Sequence, residues 1–308
     1  MKSNEKIIVD ELKICYLAKK EILGSFENVI VGGAMHYYNH MFHRYSNERF
    51  HYYFVIKDEY GELAQLYYGL YTESNTSDRQ LVYYKIANPV LYQKDRKQKA
   101  LELPKMMGFI FNNYSAIDLA FDSTKNLPSL IRKMFHNKEV TTIFNGKVVK
   151  DRKTVMKGAV VDYSLSLNKL LYPSLTFKQK KAVKNKSEGI TVQAYDKKAE
   201  ILNCSGKQYI LDYYGNPRRL YRLEVRLRYR ELKEYFDRLK IVPSTDLLLD
   251  VGLLKDLFIF HLSTVIRFRE NRKIILWTDL LEMSSGGVYN NNPHQYTNNK
   301  DKTKDILE

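Results

Sequence analysis

The sequence predicts an α+β fold: antiparallel sheets from two related β-rich halves with packed helices, followed by a helical C-terminal segment. Short tyrosine-, valine- and isoleucine-rich runs alternate apolar with polar residues, the two-residue period of half-buried strands. Strand-like and helix-like patterns then recur in the order strands, helix, strand, helix, roughly twice over, as expected of an α+β architecture. From Pro243 to Met283 the pattern becomes helical, through Leu247, Leu248, Leu249, Leu253, Leu254, Leu257, Phe258 and Leu262.

Residues 7–23 mix apolar positions with lysines and read as a helix or as a strand entering a helix. Strands are expected at 28–33, 50–57, 62–71 and 81–87, with a hairpin-like turn at Asp58-Glu59-Tyr60-Gly61. The spacing of Leu101, Leu103, Met106, Met107, Ile110 and Phe111 predicts a helix over 95–112, interrupted or entered at Pro104. A strand at 114–121 carries the first of two aspartates, and Asn126-Leu127-Pro128 opens a helix over 126–136. Strands are expected at 140–145 and 158–167, around Asn145-Gly146. Residues 168–188 hold Lys169, Lys178, Lys180, Lys181, Lys184 and Lys186 with no acid before Glu188, and read as a mobile basic loop. A strand at 189–195, a helix or turn near 197–203, a strand at 219–228 and a helix at 229–240 follow. The expected organisation is an α+β domain over 1–242, a helical segment over 243–283 and a disordered Gly-, Asn- and Lys-rich tail over 284–308.

Composition narrows the function. With 308 residues and 44% hydrophobic content the chain can bury a core, which excludes wholesale disorder. A net charge of +15 and a pI near 9.4 favour a polyanion, either nucleic acid or an anionic membrane surface. Leu253 to Ile266 is the longest apolar stretch; Lys255, Asp256 and His261 interrupt it and it is too short to span a bilayer. The N-terminus lacks the apolar core of a signal peptide. Cys15 and Cys204 offer no metal spacing and suit a reducing compartment, so a cytoplasmic location is expected. The 25 tyrosines mostly fit strand packing; base stacking by a few is the minority reading.

Several constellations carry chemistry. Asp118 and Asp122 are four apart, so a strand turns both to one face, where a divalent cation or nearby arginines must offset their repulsion. Asp122 also suits a cap on the turn into Ser123-Thr124. Glu224 has Arg222 and Arg226 as same-face neighbours; the arginines keep it ionised or grip a phosphate, unless the three form a surface salt-bridge ladder. Tyr195 precedes Asp196, Lys197 and Lys198, and a tyrosine nucleophile needs help because its reference pKa is about 10. Residue type alone does not select it. His36, His40 and His43 would share a helix face and could ligate a metal, whereas a strand would disperse them. Between Asn216 and Lys240, Arg218, Arg219, Arg222, Arg226, Arg228, Arg230, Lys233, Arg238 and Lys240 stand against four acids and form, with the 168–188 loop, a candidate phosphate track.

Read together, the segments Ile117-Asp118-Leu119-Ala120-Phe121-Asp122, Tyr195-Asp196-Lys197 with Glu200, and Arg222-Leu223-Glu224-Val225-Arg226 resemble the motifs of rolling-circle replication initiators of the Rep-trans class. These serve small plasmids and have relatives in integrative elements; filamentous-phage initiators are similar. The resemblance covers roughly residues 50–240. It implies a metal-dependent DNA nicking-closing enzyme that cuts one strand at an origin, leaving a 5′-phosphotyrosine and a free 3′-OH. It implies Mg²⁺ or Mn²⁺ on Asp118 and Glu224, with Asp122 a weaker third ligand, and Arg222 and Lys197 neutralising the scissile phosphate. DNA contacts fall to Lys178, Lys180, Lys181, Lys184, Arg218, Arg219, Arg226, Arg228 and Arg230. The phage branch places the nucleophile at Tyr195. The plasmid branch places it in a Tyr-x-Gly-Ser element that this chain lacks; Phe177 stands there, with Tyr172 and Tyr163 nearest. Ala116 also replaces an arginine usual in these families. The implied partners are origin DNA, single-stranded or cruciform, a host helicase and polymerase, and a second copy in a homodimer, with no membrane. A conjugative relaxase of the same chemistry, or a non-catalytic DNA-binding replication regulator, are the alternatives.

Overall fold

The computed structural model describes residues 7–71, 78–149, 165–166, 169–170, 174–178 and 189–283. The chain divides into two compact units: residues 8–118 with 227–248, and residues 1–7, 119–226 and 249–308. Both are antiparallel sheet with packed helices, so the α+β class holds.

The first unit is built on a six-strand run. β1 (Ile7–Lys19), β2 (Ala34–Tyr37), β3 (His40–Tyr45), β4 (Phe50–Asp58), β5 (Gly61–Leu70) and β6 (Arg79–Ile86) lie in the order β1-β6-β5-β4-β3-β2. Alternation buries one face, through Phe54 and Ile56, Leu66 and Tyr68, and Val82 and Tyr84. The helix Lys20–Glu27 packs Phe26 onto it, with ring centroids 5.2 Å from Phe42 and 5.8 Å from Phe54. At the expected hairpin, Asp58 Oδ1 accepts from the Tyr60 amide at 2.8 Å and Gly61 takes a φ of 112°. The Arg96 guanidinium grips the same carboxylate from the helix Lys94–Met106, through Nε at 3.0 Å and Nη2 at 2.8 Å.

Two expectations here need correction. Residues 28–33 form no strand: Gly32 has a φ of 85°, and pairing starts at Ala34. The helix expected over 95–112 stops at Met106, with Pro104 in its last turn. Gly108 has a φ of 74°, the Phe109 amide donates to Pro104 O at 2.9 Å and the Gly108 amide to Lys105 O at 3.0 Å, a Schellman stop. The strand β7 (Ile110–Ser123) begins directly afterwards. His36 lies on β2 and His40 and His43 on β3, with His36 opposite Met41 and His43 opposite Ala34, so no helix face gathers them.

Three large phenols lie in this core. Tyr16, Tyr68 and Tyr84 are buried, and their hydroxyls meet no hydrogen-bond partner among the described residues. Burial pushes the Tyr84 phenol well above its ordinary value. A buried hydroxyl without a partner costs free energy, so Tyr84→Phe is expected to stabilise the fold by about 1 kcal/mol, read as a higher urea midpoint at unchanged slope.

In the second unit the helix Leu127–His136 starts where expected, with Asn126 Oδ1 accepting from the Ser129 amide at 2.9 Å. β8 (Val140–Phe144) and β9 (Lys147–Val148) meet across Asn145-Gly146, both with positive φ, a type I′ turn. β10 (Leu165–Ser166) and β11 (Lys169–Leu170) pair as a short ladder, and β12 (Ser174–Lys178), β13 (Thr191–Asp196) and β14 (Tyr221–Arg228) are adjacent. Within the expected basic loop, Ser174–Lys178 is thus strand. Most of that loop, most of the strand expected at 158–167 and the tail from 284 lie outside the described residues.

The C-terminal segment is helical only in part. Asp250 caps the helix Val251–Val265, accepting from the Leu253 amide at 3.0 Å. The chain then forms the hairpin β15 (Ile266–Glu270) and β16 (Lys273–Ile275), whose turn residues Asn271 and Arg272 both have positive φ. The four-strand order is β16-β15-β8-β9, so 243–283 is not a purely helical segment. No helix among the described residues is long and apolar enough to cross a membrane.

Candidate functional site

β14 supplies most of the site. Its period of two buries Leu223 and Val225 on one side and turns Arg222, Glu224 and Arg226 to the other. Pairing with β13 sets Tyr195 opposite Arg222, Gln193 opposite Glu224 and Thr191 opposite Arg226. Pairing with β12 sets Ser174 opposite Tyr195, Thr176 opposite Gln193 and Lys178 opposite Thr191. Directly opposed residues share a face, so these side chains form three polar rows on one sheet surface. Burial falls from row to row. Ser174, Tyr195 and Arg222 are buried, Thr176 and Glu224 are buried with Gln193 half-buried between them, and Lys178 is exposed beside half-buried Thr191 and Arg226.

Glu224 is the hub of the middle row. Its Oε2 accepts from the Tyr195 hydroxyl at 2.9 Å and its Oε1 from Arg226 Nε at 2.5 Å. Arg226 Nη2 also donates to Gln193 Oε1 at 3.4 Å. The Glu224 side chain is only 2% exposed, whereas Arg226 is 41% exposed and carries the contact out to solvent. Lys197 Nζ lies 5.6 Å from the Tyr195 ring centroid and pairs with Glu200 at 2.8 Å. Asp196 has a local role: it caps the short helix Lys197–Glu200, accepting from the Ala199 amide at 2.9 Å.

Asp122 and Arg222 form a separate pair. Arg222 Nε donates to Asp122 Oδ1 at 2.7 Å and Nη2 to Oδ2 at 2.6 Å, the bidentate fork that suits a carboxylate. Both side chains are 0% exposed, and the Tyr214 hydroxyl adds a third bond to Oδ2 at 3.0 Å. Arg222, expected on the scissile phosphate, is therefore committed to Asp122, and Asp122 caps no turn. Asp118, buried in the first unit, accepts from Arg228 Nη1 at 3.1 Å.

The repulsion expected between the carboxylates is thus met by arginines, one on each of Asp118, Asp122 and Glu224. A hard divalent cation takes about six oxygen ligands, and the described residues contain no group of three His, Cys, Asp or Glu able to hold one. Among the described residues the carboxylates are held by arginines and form no three-ligand cage for the Mg²⁺ or Mn²⁺ that the resemblance implies.

The expected phosphate track is divided. Lys180, Lys181 and Lys184 lie outside the described residues, as do Tyr163 and Tyr172. Lys178 opens the outer row, Arg218 and Arg219 are exposed ahead of β14, and Arg230 pairs with Glu234 at 3.0 Å on the helix Tyr229–Leu239. Phe177 points away from the polar rows, its ring stacked 5.8 Å from Phe135 at 4°. A tyrosine at that position would face the apolar side. Gln193, Ser174 and Thr176 were not singled out from the sequence, although Gln193 is two residues before Tyr195 on the same strand. Tyr214 left no signal, because its contact depends on tertiary structure.

No protein-family model matches the sequence, and no curated protein does. Among solved structures, that of the rolling circle replication initiator protein from Geobacillus stearothermophilus is similar at 14% identity, over 90% of this chain and 95% of that chain, with a TM-score of 0.46. A likeness of that degree leaves the function to be argued from the chain's own residues.

Proposed function

We propose that the chain is a rolling-circle replication initiator that nicks one DNA strand with Tyr195. The observation that carries this reading is the hydrogen bond from the buried Tyr195 hydroxyl to Glu224, whose other oxygen is held by Arg226. A phenol hydrogen-bonded to a carboxylate is a nucleophile with its base in place. Glu224 Oε2 takes the phenolic proton as the phenol oxygen attacks phosphorus. The bond from phosphorus to O3′ breaks, and Glu224 returns the proton to the leaving 3′ oxygen. The products are a 5′-phosphotyrosine and a free 3′-OH. Lys197, near the ring, favours the developing phenolate. Because burial falls toward Lys178 and Arg226, DNA enters from that end, and the net charge of +15 suits it.

The test is incubation with a pool of labelled single-stranded oligonucleotides, with and without Mg²⁺ or Mn²⁺. The expected result is a covalent protein–DNA adduct that resists denaturation and is lost in Tyr195→Phe. If the unaltered chain forms no adduct under any of these conditions yet binds DNA, it is a non-catalytic DNA-binding regulator instead.

A further inference from the structure

One face of the first unit's sheet is buried and the other only partly covered, with Cys15 and Val55 buried on it and the Phe50 ring 5.5 Å from Tyr67 and 5.7 Å from Tyr83. On the other, the ladders align Tyr45 with Tyr53, Tyr53 with Tyr67 and Tyr67 with Tyr83, so four tyrosines on adjacent strands form one row. Tyr53 and Tyr67 stack with centroids 4.9 Å apart and planes 6° from parallel, a cross-strand pair that stabilises the sheet by itself. Tyr45 differs. It ends the row, is 43% exposed, and its ring is turned 43° from that of Tyr53. Beside it runs bare backbone: the Gly32 amide donates to Arg44 O at 2.9 Å, and a side chain on Gly32 would meet nothing within 4 Å. No side chain at Gly32 closes off that end of the row.

Charge borders the row on the same face. The register of β1 and β6 sets Lys13 directly opposite Lys85 and Lys19 directly opposite Arg79. Opposed like charges destabilise a sheet, and sheet packing gains nothing from them. Lys13 Nζ lies 5.3 Å from the Tyr67 ring centroid and 5.0 Å from that of Tyr83. Burial first, then Lys85 and Arg49, hold its pKa below the ordinary lysine value. Glu11 meets Lys85 at 3.2 Å and offsets one charge. The two cation pairs lie six residues apart along β1, about 20 Å in extended chain. An aromatic end, and cations spaced along the strands beside it, are the parts of a single-strand binding surface.

We propose that this face binds single-stranded DNA, with a base stacked on Tyr45 and phosphates at the Lys13–Lys85 and Lys19–Arg79 pairs. The choice of DNA over RNA rests on the DNA-directed role proposed above. Anisotropy of a labelled oligothymidylate with the full chain tests it. Tyr45→Ala is expected to weaken binding about tenfold. Lys13→Gln combined with Lys85→Gln is expected to reduce the slope of log affinity against log salt by about 1.4. Unchanged affinity in the first and unchanged slope in the second overturn the proposal, as does tighter binding of oligouridylate or of duplex DNA. Adduct formation is scored separately. Loss of nicking with the Tyr45 effect intact sinks only the nicking role, and the reverse result sinks only this surface.

Discussion

Replacing Arg222 with methionine is expected to destabilise the fold by about 3–5 kcal/mol, read as a lower urea midpoint at unchanged slope. The change leaves the Asp122 carboxylate buried with its bidentate partner removed and only the Tyr214 hydroxyl still donating to it. Against a typical total stability of about 5–15 kcal/mol, that is a large fraction. Asp122→Leu added to Arg222→Met is expected to recover most of the loss, because an apolar pair carries no desolvation penalty. The single variant behaving like the unaltered chain would show that the buried pair contributes little. This experiment also separates two roles for Arg222, since a residue acting only on a phosphate would lower activity and leave the urea midpoint in place.

Glu224→Gln gives the opposite profile. The amide still accepts from Tyr195, and Arg226, being 41% exposed, keeps its hydration, so stability changes little. What is lost is the ability to take the phenolic proton. Adduct formation in a single turnover is therefore expected to slow by about 10²–10⁴-fold. An unaltered rate would remove Glu224 from the reaction and leave it as a tether for the Tyr195 ring.

The parts of this arrangement legible in the sequence are those that depend on a period of two. Alternation in 221–228 placed Arg222, Glu224 and Arg226 on one face, and the four-residue gap placed Asp118 and Asp122 together on β7. What offsets those charges was not legible, because Arg222 meets Asp122 from a strand 100 residues further along the sequence and Arg228 meets Asp118 from 110 residues away. The requirement for a cation or arginines was readable; which arginine meets which carboxylate was not. The hairpin at 266–275 was readable in principle from alternating Ile266-Arg267-Phe268-Arg269 and the turn at Asn271, but the preceding leucine run extended the helical reading over it. The histidine spacing left a helix and a strand reading open, and the stretch forms two strands. Gly32-Gly33, which ended the strand expected at 28–33, is an ordinary turn signal.

The central claim is that Tyr195 is the nucleophile, and mapping the covalent adduct by mass spectrometry of tryptic peptides tests it most directly. The candidate tyrosines separate cleanly: residues 187–197 contain Tyr195 alone, residues 170–178 contain Tyr172 and residues 158–169 contain Tyr163. The predicted result is a nucleotide linked through phosphate to the 187–197 peptide. A nucleotide on the Tyr172 or Tyr163 peptide, with 187–197 unmodified, would contradict it.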